Sequence, residues 1–177
     1  MIEVVVAGIG IAPPSSTPLL LLKERDGDRL LPLGIGPLEA QAIAMPLQNV
    51  QPPRPVTHDV FIDVIASLGG HLRRVEVTDL ADNIFHARLL LEQAGHQHSI
   101  DIRPSDAVAL AVRTETPIYV AEAVLDQAGV VAQQATEPGD QPESGETPVD
   151  ESKLSPFKEF IDTLDIDDLD PGSESRS

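Results

Sequence analysis

Apolar residues near the start of the chain follow the patterns of β-strands. Ile2 to Ile9 is rich in β-branched residues, which is typical of a strand. Two further apolar runs, Leu19 to Arg25 and Leu30 to Ile35, flank the dipeptide Asp26-Gly27. Because Asp-Gly favours a tight hairpin turn, these two runs are predicted to form paired strands.

Two helices are predicted next. The first runs from Pro37 to about Leu47, and Pro46 is expected to kink it or end it early because proline cannot donate a backbone hydrogen bond. The second follows Thr57, whose hydroxyl suits an N-cap, and stops at Gly69-Gly70. The face of this second helix that we expect to be buried consists of Val60, Val64, Ile65 and Leu68.

Paired strands and helices also fill the second half of the folded region. Three strands are predicted, at Leu72 to Val77, Ile84 to Leu91 (with a turn at Asp82-Asn83 before it) and Ser99 to Arg103. Ser105 is expected to cap a helix from Asp106 to Arg113, followed by a strand at Pro117 to Val120 and a helix at Ala121 to Ala128. Strands in pairs with helices between them predict an α+β fold, a mixed β-sheet packed with about three helices in a single domain.

The last third of the chain has a different composition. Residues 1–128 are predicted to form the folded domain, and residues 129–153, rich in Pro, Gly, Glu, Gln and Ser, a disordered linker. Residues 154–166 are predicted to form a short amphipathic helix, because Phe157, Phe160, Ile161 and Leu164 share one face. Residues 167–177 are expected to be a disordered acidic tail.

Composition restricts the chemistry. The chain of 177 residues has no cysteine, so disulfides, thiolate metal sites and thiol nucleophiles are excluded. No serine lies in a nucleophile elbow, so acyl transfer has little support. The start of the chain lacks the features of a signal peptide, and the apolar run Leu19 to Leu22 is too short to span a bilayer. We therefore expect a cytoplasmic protein without a membrane partner.

The distribution of charge bears on nucleic-acid binding. Residues 1–126 carry 16 acidic and nine Lys or Arg residues, whereas residues 127–177 carry 13 and three, so more than half of the net charge of −17 lies in the last third. Nucleic-acid-binding domains usually have a basic surface. A nuclease with this composition would need a local arginine cluster or bound divalent cations to offset its negative charge.

The first candidate site is the segment from Asp101 to Asp106. Asp101 and Arg103 are expected on one face of a strand, and Ser105 and Asp106 at the start of a helix, where free N–H groups attract anions. Arg103 and Ser105 could bind a phosphate while the carboxylates hold Mg2+ or Mn2+. The alternative is structural: Ser105 and Asp106 would stabilise the helix start, and Arg103 would pair with Asp101.

The second candidate site is Arg54 to Asp59. His58 is the best candidate for a general acid or base, because histidine titrates near neutrality. Asp59 could bind a metal or orient the imidazole, and Arg54 could contact phosphate. The alternative again is a well-formed helix start with a solvated His58. Glu39, at the start of the first helix, is a weaker candidate metal ligand.

Four segments in order resemble the bifunctional nuclease family, whose members are described as acting on both RNA and DNA. They are Leu31 to Ala40, Arg54 to Asp59, Asp101 to Ala111 and Pro117 to Val120, within a similarity from Met1 to about Val124. A Phe-rich terminal helix like Phe157 to Leu164 also occurs in the family. The resemblance implies a nuclease that hydrolyses phosphodiester bonds in RNA or DNA.

The assignment of roles follows from the residues rather than from the family. Asp59, Asp101 and Asp106 would hold Mg2+ or Mn2+, His58 would transfer a proton, and Arg54, Arg103 and Ser105 would bind phosphate. This hypothesis requires the two helix starts to lie within reach of one phosphate. Departures from the family pattern are modest: Gly34 stands where a large aromatic is frequent, Ile102 where a small residue is usual, and Pro46 in a helix that is usually unbroken.

Two other hypotheses stay open. A non-catalytic binding or regulatory module could use the same fold, in which case the charged turns would only stabilise the structure. The acidic tail could mimic nucleic acid and cover the arginines, or it could simply keep the protein soluble. Self-association is compatible with the sequence.

Overall fold

The computed structural model describes residues 1–12 and 16–131, so the helix predicted at 154–166 and the tail predicted at 167–177 lie outside the described residues. The strands are β1 (Ile2–Ala12), β2 (Thr17–Glu24), β3 (Arg29–Gly34), β4 (Gly70–Ala81), β5 (Ile84–Gln93), β6 (His96–Ile102), β7 (Ile118–Val120) and β8 (Val130–Val131). The helices are α1 (Pro37–Leu47), α2 (Thr57–Ser67), α3 (Pro104–Thr114) and α4 (Glu122–Ala128). No helix within these described ranges is both long and apolar enough to cross a membrane.

The strands form one mixed sheet in the order β6-β5-β4-β7-β1-β2-β3-β8. β4 and β7 run parallel, whereas β1–β7, β2–β3, β3–β8, β4–β5 and β5–β6 pair antiparallel. The predicted hairpin around Asp26-Gly27 is confirmed by the β2–β3 pairing. The predicted α+β class, a mixed sheet packed with helices, is confirmed, with four helices in the described part of the chain.

The β4–β5 hairpin shows why its turn could be predicted. Asp82 and Asn83 both have positive φ, at 51° and 61°. Asp and Asn tolerate this left-handed region better than other non-glycine residues, and two such residues in succession match the twist of a two-residue hairpin. The turn joins β4, which extends beyond its predicted limits at both ends, to β5, which begins at Ile84 as predicted and ends two residues later than predicted.

The core lies between one face of the sheet and α3. Val75 and Val77 of β4, and Leu89 of β5, are fully buried on that face. Residues 107–111 of α3 are also buried, and three of these five are alanines. Small side chains allow a helix to approach the sheet closely, so α3 is the central helix, with α1 and α2 packed beside it.

Both predicted helix caps are wrong. The N-cap of α2 is Val56 rather than Thr57, and the Val56 N–H donates to Asp59 Oδ2 at 2.9 Å, so the carboxylate of the third helical residue stabilises this end. The N-cap of α3 is Arg103 rather than Ser105. Pro104 begins α3 because its fixed φ suits the first helical position, which places Ser105 inside the first turn.

β6 starts earlier than predicted, and β8 was not predicted as a strand. β6 begins at His96 instead of Ser99, because its first residues continue the ladder with β5 as far as the pair Gln93 and His96. Val130 and Val131, which fall in the predicted linker, form β8 and pair with Leu30 and Arg29. These polar or very short segments become strands through their neighbours in the sheet, and local patterns do not show such partners.

The predicted buried face of α2 is largely exposed. Val60, Val64 and Leu68 are 48%, 51% and 67% exposed, and no residue of α2 is fully buried. Of the predicted face only Ile65 contacts the core, and Ile62, which was not predicted, packs beside it. Several apolar residues of α2 are spaced so that more than one face of the helix could be buried. Its packing against α3 buries only a narrow face.

Pro46 lies in the last turn of α1, which ends one residue later at Leu47, as far as the sequence predicted. Proline has no N–H, so the carbonyl of Ala42, four residues earlier, loses its helical partner. The Arg113 guanidinium donates to this carbonyl at 2.7 Å. A side chain of α3 therefore replaces the hydrogen bond that Pro46 removes from α1.

Candidate active site

The first turns of α1, α2 and α3 meet at a cleft of about 440 Å³. Its lining residues are Leu38, Glu39, Thr57, His58, Phe61, Ile102, Arg103, Asp106 and Leu110. The starts of α2 and α3 therefore lie side by side, as the hypothesis of a single site requires. The start of α1 lies beside them.

Four charged or titratable side chains in this cleft form a continuous chain of contacts. His58 Nε2 lies 3.4 Å from Asp106 Oδ1, at hydrogen-bonding distance. The other carboxylate oxygen of Asp106 accepts from Arg103 Nε at 2.7 Å. Arg103 also donates through an NH group to Glu39 Oε1 at 3.1 Å. Asp106 is thus bonded to a potential proton carrier on one side and to a cation on the other.

The electrostatics of the cleft are set by two carboxylates around one guanidinium. The hydrogen bond to Asp106 raises the pKa of Arg103 above its usual value, and Glu39 adds to the effect. The His58 and Asp106 side chains are mostly shielded from solvent, at 19% and 23% exposure, whereas Arg103 is 67% exposed. Arg103 can therefore move without unfolding the cleft, while His58 and Asp106 are held in place.

Asp59 lies outside this chain of contacts. Its Oδ1 accepts from Arg113 Nε at 2.7 Å, and its Oδ2 accepts from the Val56 N–H. Burial alone would raise the pKa of Asp59, but the bonds from Val56 and Arg113 outweigh burial and lower it. Oδ2 stabilises the start of α2 and Oδ1 attaches it to α3, which leaves His58, the preceding residue, to face the cleft.

Asp101 also lies apart from the cleft. Ile102, its neighbour on β6, lines the cleft, and successive side chains of a strand point to opposite faces. Asp101 lies opposite Arg88 of β5, which contacts Glu76 of β4. The expectation that Asp101 and Arg103 share a face is not met, because β6 ends at Ile102 and Arg103 already belongs to the helix start.

The two other predicted phosphate ligands differ from Arg103. Arg54 is exposed in the segment before α2 and does not line the cleft. Ser105 is 8% exposed and makes no side-chain cap bond to α3. Of the predicted site residues, the structure brings together His58, Asp106, Arg103 and the weaker candidate Glu39.

Arg113 and Glu76 are two positions of note that sequence reasoning missed. Arg113 is 8% exposed and bonds to Asp59 and to the carbonyls of Ala42 and Ala109. A sequence signal existed in Pro46, since a mid-helix proline leaves a carbonyl in need of a donor. Glu76 is 1% exposed between Arg74 and Arg88, and no local pattern in the sequence marks it as buried.

A divalent cation would have two protein carboxylates available in the cleft. No group of three or more His, Asp or Glu residues in the described ranges is arranged to hold a metal ion. Glu39 and Asp106 nevertheless both approach the Arg103 guanidinium. Mg2+ is commonly held by one or two carboxylates together with phosphate oxygens of the substrate, so Glu39 and Asp106 are the residues that could hold it here.

Similarity to other proteins covers most of the chain. It is 45% identical over 167 residues to an uncharacterized protein of Mycobacterium tuberculosis, a match that spans 94% of this chain and 97% of the relative. It is 30% identical over 121 residues to Bifunctional nuclease 1 of Oryza sativa subsp. indica, and 34% identical over 107 residues to Bifunctional nuclease 1 of Arabidopsis thaliana. These two matches span 66% and 58% of this chain, but 37% and 33% of the plant proteins.

The family match begins within β2, so it leaves out β1 but covers the four described helices and the strands from β3 onwards. Residues 20–133 match the model of the bifunctional nuclease domain, a range that includes every residue lining the cleft. The chain belongs to the bifunctional nuclease domain family.

Proposed function

We propose that this protein is a nuclease that hydrolyses phosphodiester bonds of RNA or DNA in the cleft at the starts of α1, α2 and α3. The observation that carries the proposal is the bonding of Asp106 to His58 on one side and to Arg103 on the other. A base held by a carboxylate, next to a cation that can bind phosphate, supplies the two functions that hydrolysis needs.

His58 is the proposed general base. If Nε2 carries the proton and donates it to Asp106, Nδ1 is left as the basic atom of the ring. A water molecule that loses a proton to His58 attacks phosphorus, the bond from phosphorus to the leaving oxygen breaks, and the leaving oxygen takes a proton from solvent. The distance of 3.4 Å is long for a hydrogen bond, as is frequent in catalytic pairs without substrate.

Arg103 is the proposed phosphate ligand. Its guanidinium is largely exposed, and its planar fork suits two oxygens of one phosphate. Three helices begin at the cleft, and their free N–H groups and dipoles favour an anion there. These dipoles partly offset the two carboxylates, which otherwise leave the cleft with a formal charge of about −1 when His58 is neutral.

Mg2+ or Mn2+ is the proposed cofactor, with Glu39 and Asp106 as its protein ligands. When bound, such an ion would neutralise negative charge on the phosphate and lower the proton affinity of a coordinated water. Glu39 and Asp106 would hold this ion, and Arg103, which bonds to both carboxylates, would then contact the phosphate. In this scheme Asp59 and Asp101 have structural roles only.

A non-catalytic binding module is the second candidate function. The observation in its favour is the charge of the cleft, where two carboxylates face one arginine in a protein of net charge −17. Such a cleft could bind a small cationic or polar ligand without cleaving nucleic acid. The same assay separates the two candidates.

The test is a cleavage assay with the full chain on single-stranded RNA and DNA, in Mg2+, in Mn2+ and in excess chelator. We expect cleavage by the wild type with either metal and a loss of roughly 100-fold or more in Asp106→Asn. Asp101→Asn is the matched control, because this carboxylate lies on the other face of the sheet and should leave the rate unchanged. Folding of each variant is checked by circular dichroism.

Two results would contradict the proposal. Wild-type protein that leaves both substrates intact under all conditions supports the binding module. Equal loss of activity in Asp101→Asn and Asp106→Asn would move the active site away from the cleft. Activity that persists in chelator would remove the metal from the scheme but leave His58 and Asp106 in it.

A further inference from the structure

β6 is an edge strand that lacks the usual protection against pairing. Among the described strands it ends the sheet, and its seven residues pair with β5 without a register shift. Natural proteins block exposed edges with lysine, proline, bulges or short strands. The segment from His96 to Ile102 contains no lysine, arginine or proline, and six of its residues are exposed. Within the part of the chain that the structure describes, its outer backbone groups are thus available to another strand.

An apolar surface lies directly beside this edge. It is made of the outward side chains of α2 and one residue of β6: Val60, Phe61, Val64, Leu68 and Ile100, which are 40% to 67% exposed. We call it the α2 patch. Leu68 and Ile100 line a common groove, and Phe61 lines the cleft together with Ile102. The α2 patch is therefore continuous with the open edge of β6.

We infer that a second copy of this chain docks here, through antiparallel pairing of β6 with β6 of the partner and contact between the two α2 patches. A two-fold axis makes the same surface serve both copies. If the axis passes at Ser99, His98 faces Ile100 of the other copy, Gln97 faces Asp101, and His96 faces Ile102. Asp101 is the single carboxylate of the strand, and this register keeps it away from its copy, so no like charges face each other.

The available area suits a dimer of this kind. The five side chains of the α2 patch expose roughly 400 Å² of apolar surface per copy, in the range where a patch on a soluble protein marks an interaction site. The edge of this seven-residue strand adds a comparable area on each copy, which brings the total near the roughly 800 Å² per partner of a standard interface. This inference does not depend on nuclease activity.

The first test is sedimentation velocity of the full chain at concentrations on the order of 1–100 µM, the range of weak to moderate dimers. We expect a dimer whose dissociation constant rises roughly 30-fold or more in Ile100→Asp, as for an interface hot spot. Ile84→Asp is the matched control, because Ile84 is 60% exposed in the strand β5, next to the turn before it, and lies outside the α2 patch. Thermal unfolding checks that both variants fold.

The second test uses the absence of cysteine from the chain. Opposed residues of antiparallel strands lie at a Cα separation of about 4.5–5.5 Å, within reach of a disulfide. Ser99→Cys should therefore form a covalent dimer on mild oxidation, whereas Asp28→Cys, exposed in the β2–β3 turn, should not.

Three results would overturn the inference. A monomeric wild type would exclude a second copy as the occupant and indicate a different partner. A dimer that Ile100→Asp does not weaken would place the interface elsewhere. A dimer weakened by Ile100→Asp in which Ser99→Cys fails to cross-link would contradict the proposed strand pairing.

Discussion

The imidazole Nε2 of His58 lies 3.4 Å from Oδ1 of Asp106, although 48 positions separate the two residues in the chain. Each residue belongs to the first turn of a helix, and α2 packs beside α3 with both starts at the same end. Side chains at two neighbouring helix starts therefore converge on one cleft, where Arg103 completes the arrangement.

Arg103 and Arg54 should differ in their effect on nuclease activity. We expect Arg103→Ala to raise KM by roughly ten-fold or more, because the guanidinium in the cleft is the one that can contact phosphate. Arg54→Ala should change KM by less than about two-fold, since Arg54 does not line the cleft. Steady-state kinetics on a short RNA or DNA substrate measure both. Equal effects would mean that phosphate is bound outside the cleft.

Arg113 should matter for stability more than its position at a helix end indicates. Its buried guanidinium bonds to Asp59 and to the carbonyl that Pro46 leaves without a helical partner. We expect Arg113→Met to lower the free energy of unfolding by about 2 kcal/mol in urea denaturation, because two buried or half-buried acceptors lose a donor. Arg73→Met, at an exposed ion pair with Glu92, should cost less than about 1 kcal/mol. Similar costs for both variants would refute this role.

Acid should destabilise the protein partly through Asp59. The bonds from Val56 and Arg113 lower the pKa of Asp59 in the folded state despite its partial burial. A carboxyl whose pKa is lower when folded stabilises the protein fully above its unfolded value of about 3.9, and this stabilisation is lost as the pH falls through the folded value. Asp59→Asn should therefore make the decline in the free energy of unfolding below about pH 4 shallower.

The control for this acid effect is Asp63→Asn, at an exposed position on the same helix without an ion pair among the described residues. In this variant the free energy of unfolding, measured from denaturation curves at several pH values, should fall with pH as steeply as in the wild type. An unchanged slope in Asp59→Asn would contradict the assigned pKa direction.

Arg74 and Arg88 should be coupled through Glu76. This carboxylate is 1% exposed, and its two oxygens lie 2.7 Å and 2.6 Å from the two arginines. Changing either Arg74 or Arg88 to Met leaves Glu76 with one partner and should lower the free energy of unfolding by about 1 kcal/mol. The double variant leaves a buried carboxylate unpaired, so it should cost about 3–5 kcal/mol, more than the sum of the single changes. Additive costs in urea denaturation would show that Glu76 reaches water.

Much of the fold could be predicted from local signals. The hairpin at Asp26-Gly27, the turn at Asp82-Asn83 and the limits of α1 followed from turn preferences and apolar spacing. The errors at β8 and α2 arose where a distant partner decides the structure. β8 exists because β3 offers it an edge, and the buried side of α2 depends on its packing against α3, which no spacing within the helix reveals.

Some residues of the candidate site could be predicted from the sequence, but the complete set could not. His58, Asp106 and Arg103 were identified as helix-start residues with suitable chemistry, and they do meet. Strand periodicity predicted that Asp101 and Arg103 would share a face, but β6 ends between them. Asp59 was a reasonable ligand by residue type. Its pairing with Arg113, 54 positions away, could not be seen in a single sequence.

The most direct test of the central claim is a double-mutant cycle of His58→Ala and Asp106→Asn on kcat/KM for metal-dependent cleavage. If the two residues act as one unit, each single change should reduce kcat/KM by roughly 100-fold or more, and the double variant should be little worse than either. Additive losses, or a rate unaffected by either change in folded protein, would contradict the assignment of the active site to this cleft.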